Sequence, residues 1–260
     1  MPTRDGYANG VPSWVDLSTT DVEKAKTFYG ELFGWEWVGN EMPGFGTYWM
    51  ATLKGQLVAG LSGQPPEMAA QHVPSMWNTY VNVDSVDQTV AKAMAAGGQL
   101  AMPAADIPDA GRMAFLIDPS GATFGLWQPS GHKGAGLVNE HGALIWNEVL
   151  APDTARIVEF YRKVFGWEPS AQTMEGMGEY TMFNLDGSPV GGTMAAPTAE
   201  IPPHWRIWFG SSDPVETAAK AAELGATVVI SPTDSPMGKV ASLLDPTGAG
   251  FSVITAAAAG

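Results

Sequence analysis

Apolar and polar residues alternate along this chain in short runs, and each set of runs is interrupted by a stretch with helical spacing. Ser13-Trp14-Val15-Asp16-Leu17 has the two-residue period of a half-buried strand. Ser18-Thr19-Thr20-Asp21 then supplies helix-capping side chains. Val22, Ala25, Phe28, Tyr29, Leu32 and Phe33 follow at helical spacing until Gly34. Strands are predicted at 48–53 and 57–61, with a glycine-rich loop at 43–46 and a proline-containing linker at 64–74. A second unit repeats the plan: a strand over 76–83, a helix over 84–96 closed by Gly97-Gly98, and strands at 99–102, 113–117 and 123–128.

That unit ends on a hairpin. Phe115-Leu116-Ile117 enters the turn Asp118-Pro119-Ser120-Gly121, and Thr123-Phe124-Gly125-Leu126-Trp127 leaves it. Proline presets one turn angle and glycine permits positive φ. The pattern returns at Leu243-Leu244-Asp245-Pro246-Thr247-Gly248. Trp14 matches Trp146, Phe28-Tyr29 matches Phe160-Tyr161, and Gly34-Trp35 matches Gly166-Trp167, each 132 positions on. Within the first half, Trp14 to Asn78 and Gly34 to Gly98 are both 64 positions, so a repeat sits inside a repeat. The predicted modules are 10–129 and 142–256, joined by a glycine-rich linker at 130–141, each with enough residues for its own core. Residues 256–260 form a small-residue tail with no evident role.

Composition narrows the function classes. The 260 residues are 45% hydrophobic, as in a globular chain. A net charge of −14 disfavours nucleic-acid partners. The absence of cysteine excludes disulfides, thiolate metal sites and cysteine nucleophiles. No long apolar span and no leader-like run at residues 1–10 is present, so the expectation is a soluble cytoplasmic protein without a membrane partner. The glycines at 43–46 and 191–192 lack the context of a phosphate loop.

Asp21, Phe28-Tyr29 and Phe33-Gly34-Trp35, together with the Asp-Pro-x-Gly hairpin, resemble the vicinal oxygen chelate superfamily of glyoxalases, extradiol dioxygenases and bleomycin-binding proteins. The resemblance covers nearly the whole chain, twice, and is greatest to two-module glyoxalase-like proteins. It implies an α+β fold of two tandem modules. Each is a pair of βαβββ units curling into a bowl-shaped mixed sheet with helices outside. Because a duplicated chain needs no partner to complete its bowls, a monomer is expected.

Metal-dependent members of the family place ligands on the first strand of each βαβββ unit and a Glu on its last strand. Those slots hold Trp14, Asn78 and Gly125 in module one, and Trp146, Arg206 and Ser252 in module two. None is a competent ligand for a divalent ion at neutral pH, so no metal and no cofactor is expected. The four histidines do not replace them. His72, His132 and His141 lie in linkers and are expected to be solvated. His204 lies near a bowl mouth, at what is more simply an edge position.

If Trp14 faces the bowl, strand alternation carries Asp16, Asn78, Tyr80, Asn82 and Trp127 with it, and Trp146, Glu148, Arg206 and Trp208 in module two. Asn147 then falls on the helix side, at odds with this register. An aromatic cup with one carboxylate suits a flat or apolar small molecule. Asp16 and Glu148 are candidate general acids or bases; the structural alternative pairs Glu148 with Arg206 and Asp16 with Asn78 or backbone. Arg112, in a polar loop at 106–112, is a candidate contact for an anionic ligand group, against the plainer reading of a turn with a local ion pair. The leading expectation is a small-molecule binding protein. The alternatives are a metal-independent isomerase, lyase or cyclase, and a metal-dependent glyoxalase-like lyase or dioxygenase.

Overall fold

The computed structural model describes residues 3–42, 46–174, 178–198 and 200–256. Most of the loop predicted at 43–46 and the tail from 257 onward lie outside them. The first module contains β1 (Pro12–Thr19), α1 (Val22–Phe33), β2 (Glu36–Met42), β3 (Gly46–Leu53), β4 (Gln56–Gly63), α2 (Pro66–Ala70), β5 (Met76–Asn82), α3 (Val86–Ala95), β6 (Gln99–Ile107), β7 (Gly111–Ile117) and β8 (Thr123–Pro129). The second contains β9 (Leu144–Leu150), α4 (Thr154–Phe165), β10 (Glu168–Met174), β11 (Gly178–Leu185), β12 (Ser188–Met194), β13 (His204–Ser211), α5 (Pro214–Glu223), β14 (Thr227–Ser235), β15 (Gly238–Leu244) and β16 (Gly250–Thr255).

Each module makes one eight-stranded mixed sheet, in the order β2-β3-β4-β1-β5-β8-β7-β6 and its counterpart β10-β11-β12-β9-β13-β16-β15-β14. The two units of a module meet at the antiparallel pairs β1–β5 and β9–β13. Helix entry follows the capping chemistry: Asp21 accepts from the Lys24 amide and Asp153 from the Arg156 amide, both at 3.0 Å. Gly34 and Gly166 end α1 and α4 with φ of 75° and 76°, which glycine adopts without side-chain strain.

The outermost strands β2 and β10 were absent from the sequence expectation. They carry mostly exposed residues and bury few side chains, Met174 fully and Trp37 in part, so polarity alternation gave no signal. The supposed polar loop at 106–112 is largely strand, because β6 runs to Ile107 and β7 starts at Gly111.

The modules do not keep separate cores. α1 carries Phe28 and Tyr29 against Phe251 of β16 at centroid separations of 6.0 and 5.6 Å. In the mirrored contact, Tyr161 of α4 meets Phe124 of β8 at 5.6 Å. Two buried clusters each contain residues from both modules, so the apolar faces of α1, α3, α4 and α5 lie outside the bowls yet inside the molecule. Trp35 donates to the Gly142 carbonyl at 2.8 Å, and Trp167 to the Gly10 carbonyl at 2.7 Å. The expectation of one core per module is corrected accordingly: the apolar helix faces are covered by the neighbouring module.

Candidate functional site: two carboxylate-centred bowls

Strand pairing places Trp14 opposite Tyr80 and Asp16 opposite Asn78 in the first bowl. Trp146 lies opposite Trp208 and Glu148 opposite Arg206 in the second. Asn147 does point away from its bowl. It lies in the module interface, where its side-chain oxygen accepts from Thr79 at 2.9 Å. The position that disturbed the register on sequence grounds therefore has a buried partner that the register itself could not reveal.

In the first bowl Asp16 is buried and accepts three side-chain hydrogen bonds: from Asn78 at 2.9 Å, Tyr80 at 2.8 Å and Tyr48 at 3.1 Å. Trp14 donates to the Tyr48 hydroxyl at 2.9 Å. Burial raises the Asp16 carboxyl above its ordinary value, and the three donors act in the opposite sense. Burial, then the Asp16 charge, pushes the Tyr48 and Tyr80 hydroxyls well upward, so both are donors at neutral pH.

Glycines make room for these rings. A Cβ on Gly60 would lie 2.0 Å from the Tyr48 hydroxyl, and one on Gly192 would lie 2.1 Å from that of Tyr180. A Cβ on Gly125, the slot at which the family resemblance implies a Glu in metal-dependent members, would lie 2.3 Å from the Tyr80 ring. Tyr80 occupies the space that such a side chain would need.

The second bowl has a different centre. The Glu148 carboxylate accepts from Arg206 Nε at 2.6 Å and from Trp208 Nε1 at 2.7 Å, and Arg206 Nη2 also contacts it. The Arg206 guanidinium stands 4.8 Å from the centroid of the Trp208 ring. Trp146 donates to the Tyr180 hydroxyl at 2.7 Å. Burial first, then the nearby Glu148 charge, raises that hydroxyl.

Tyr48 and Tyr180 were not among the residues expected from sequence. Their signal was present: they are 132 positions apart, as are Gly60 and Gly192, the spacing that matched the tryptophans.

Arg112 is not brought to the first bowl. It is tied to Asp87 of α3 at 3.0 Å and Asp106 of β6 at 2.8 Å, on the helix side of its strand, while its neighbour Met113 packs with the bowl residues. Lys239 likewise pairs with Asp234 at 2.7 Å. His132, expected to be solvated, is instead wedged into the first bowl. Its ring stands edge-on to Trp14 at 4.4 Å and 5.5 Å from Trp127, both ring nitrogens are buried with no partner among the described residues, and Trp127 donates to its carbonyl at 2.9 Å. Burial lowers its pKa to about 4. His72 is exposed, the His141 ring accepts from the Ser212 amide at 3.0 Å, and His204 contacts the Pro202 carbonyl at 2.8 Å.

Residues 12–126 and 144–253 both match the model of the glyoxalase/bleomycin resistance protein/dioxygenase superfamily. The chain belongs to that superfamily. It is 47% identical to a putative glyoxylase, CFP32, of Mycobacterium tuberculosis over 98% of each chain. It is also 33% identical to the anthracycline biosynthesis protein DauV of a Streptomyces species, over 95% of this chain and 94% of that protein. Among solved structures it resembles the Mn(II)-bound glyoxalase from Novosphingobium aromaticivorans, with a TM-score of 0.63, 16% identity and coverage of 95% and 83%. It also resembles the 2,3-dioxygenase LapB from Pseudomonas, with a TM-score of 0.66, 15% identity and coverage of 96% and 93%. At such identities the structures establish the superfamily fold and no more.

The Novosphingobium glyoxalase is Mn(II)-bound, so the donor set of this chain matters. Among the described residues no group of three His, Asp or Glu side chains converges. The first bowl offers one carboxylate already engaged by three donors, and the second offers one engaged by a cation. These residues do not fit a divalent ion, which needs several free anionic or imidazole donors.

Proposed function

We propose that this superfamily member is a receptor for a flat organic molecule, held in an aromatic bowl without a metal ion. The observation that carries the reading is the state of the two carboxylates. Asp16 is met by Asn78, Tyr80 and Tyr48, and Glu148 by Arg206 and Trp208. Both oxygens of Asp16 and Oε1 of Glu148 are taken by protein donors, and the one remaining carboxylate oxygen, beside the Arg206 cation, falls short of the several donors a divalent ion needs. Indole walls favour a planar guest. The anthracycline biosynthesis proteins among its relatives are named for fused-ring aromatic compounds, which fits the same class.

The test is a titration with 1,8-dihydroxyanthraquinone followed by tryptophan fluorescence, beside elemental analysis after dialysis against Mn, Ni, Zn and Fe(II) salts. Saturable quenching with no stoichiometric metal is expected. A stoichiometric metal, or no saturable binding, would sink the reading.

A second reading is favoured by one observation, the raised Asp16 carboxyl beside two tyrosine hydroxyls. On that reading the protein is a metal-independent isomerase, lyase or cyclase in which Asp16 or Glu148 moves a proton on the bound molecule. Incubation of a bound ketone in deuterated water distinguishes the two. Deuterium uptake by the parent protein that is lost in Asp16→Asn or in Glu148→Gln supports the enzyme, and no uptake in the parent protein supports the receptor.

A further inference from the structure

The two bowls share a plan but not a shape. The half of the first bowl built on β5, β8 and β7 is lined by Tyr80, Trp127, Met113 and Phe115. The corresponding pairs in module two are Val240 with Ile254 and Ser242 with Ser252. Phe115 is thus replaced by Ser242, Met113 by Val240 and Trp127 by Ile254. Three large side chains give way to three smaller ones.

The first bowl is also closed from outside its sheet. After β8 the chain folds back across it. Ala135 N–H bonds the Ser13 carbonyl at 2.8 Å, Gly136 N–H bonds that of Leu57 at 2.8 Å, and Tyr7 donates to the Ala135 carbonyl at 2.7 Å. This segment brings Ala135 and Val138 into one buried cluster with Trp14, Tyr80 and Trp127, and sets His132 against Trp14. Among the described residues, no loop amide reaches Ile145, the counterpart of Ser13. The outcome shows in the two equivalent indoles: Trp14 is 3% exposed, whereas Trp146 is only half-buried.

The second bowl keeps an unused directional group. Arg206 spends Nε and Nη2 on Glu148 and the Met194 sulfur. Among the described residues, nothing accepts from Nη1. The guanidinium is fixed by Glu148 and by the Trp208 ring, so Nη1 is a positioned donor rather than a swinging one.

We infer that the bowl of module two is the single ligand site of the chain. It takes a planar aromatic molecule through a carbonyl oxygen on Arg206 Nη1, with Trp146 beside the ring system. The bowl of module one has become a filled structural core. This rests on the receptor reading above and narrows it to one bowl and one ligand feature.

Calorimetric titration of the full chain with acridone, and with 9,10-dihydroacridine, in which CH2 replaces the carbonyl, tests both parts. One equivalent of acridone should bind per chain, and dihydroacridine should bind at least about tenfold more weakly, the loss of one hydrogen bond to a charged donor. Ser242→Phe and Ile254→Trp each copy the first bowl into the second and should weaken acridone more than tenfold while leaving the circular dichroism spectrum unchanged. Two equivalents per chain would overturn the single-site assignment, and equal affinities would overturn the role of Arg206. Unaltered binding in either folded variant would do the same for the location. If acridone and dihydroxyanthraquinone both fail to bind the parent protein, the receptor reading falls with it. If dihydroxyanthraquinone binds twice, or ignores these variants, only the narrower inference falls.

Discussion

Tyr161 of the second module donates its hydroxyl hydrogen to Asp118 of the first at 2.9 Å, and Trp205 donates to the same hydroxyl oxygen at 3.0 Å. The arrangement recurs with the modules exchanged: Tyr29 donates to Asp245 at 3.0 Å and receives from Trp77 at 3.0 Å. Each Asp has a double task, since its other oxygen holds its own hairpin. Asp118 Oδ1 accepts from the Ser120 and Ala122 amides at 2.8 and 3.0 Å, and Asp245 Oδ1 from the Thr247 and Ala249 amides at 2.7 and 3.0 Å. Tyr161→Phe strands a buried indole N–H and half of a buried carboxylate. It should cost about 1–3 kcal/mol in a urea titration, and Tyr29→Phe should cost a similar amount. Both variants should retain a single transition, because each lock belongs to both modules.

Breaking the Glu148–Arg206 pair should be far more damaging than removing it. Arg206→Met leaves an uncompensated buried carboxylate, at a cost of roughly 3–5 kcal/mol. Adding Glu148→Gln to that variant should recover much of the loss. A double-mutant cycle measured by chemical denaturation reads the coupling directly.

His132 should shape the acid limb of the stability curve. Its pKa in the folded protein, about 4, lies below the unfolded value of 6.5. The unfolded chain therefore binds the proton first, and the stabilisation present above pH 6.5 is lost as pH falls towards 4, by up to ~1.4 kcal/mol per pH unit. His132→Leu should flatten the profile in that window relative to the parent, with little difference at pH 8.

Gly60→Ala and Gly192→Ala should each cost about 1–3 kcal/mol. The added methyl must displace the tyrosine hydroxyl beside the bowl carboxylate, which is within 2.1 Å in both cases. Thermal unfolding measures this, and Gly121→Ala offers a contrast: no atom lies within 4 Å of its Cβ, so only its φ of 106° is strained.

Much of this was legible in the chain. The capped helices, the duplicated Asp-Pro-x-Gly hairpin and the alternation through Trp14, Asp16 and Trp146, Glu148 follow from local chemistry, and they fix which side chains enter the bowls. What escaped depends on groups distant in sequence. The partner of Asn147 is Thr79, and the Asp118 and Asp245 side chains are satisfied by tyrosines of the other module. His132 and Arg112 sit where tertiary packing, not their local segment, decides exposure. The edge strands β2 and β10 bury almost nothing, so their pairing leaves no trace in polarity.

The bonds from Trp35 to Gly142 and from Trp167 to Gly10 carry a consequence for biosynthesis. A nascent first module emerging from a ribosome has the strands for its sheet, but the aromatic face of α1 finds its cover only after residues beyond 200 have been made. Until then the sides of Phe28 and Tyr29 that meet Phe251 stay uncovered, apolar surface of the kind that makes a half-made chain prone to misassociation, and the fold closes only when strands of both modules are present.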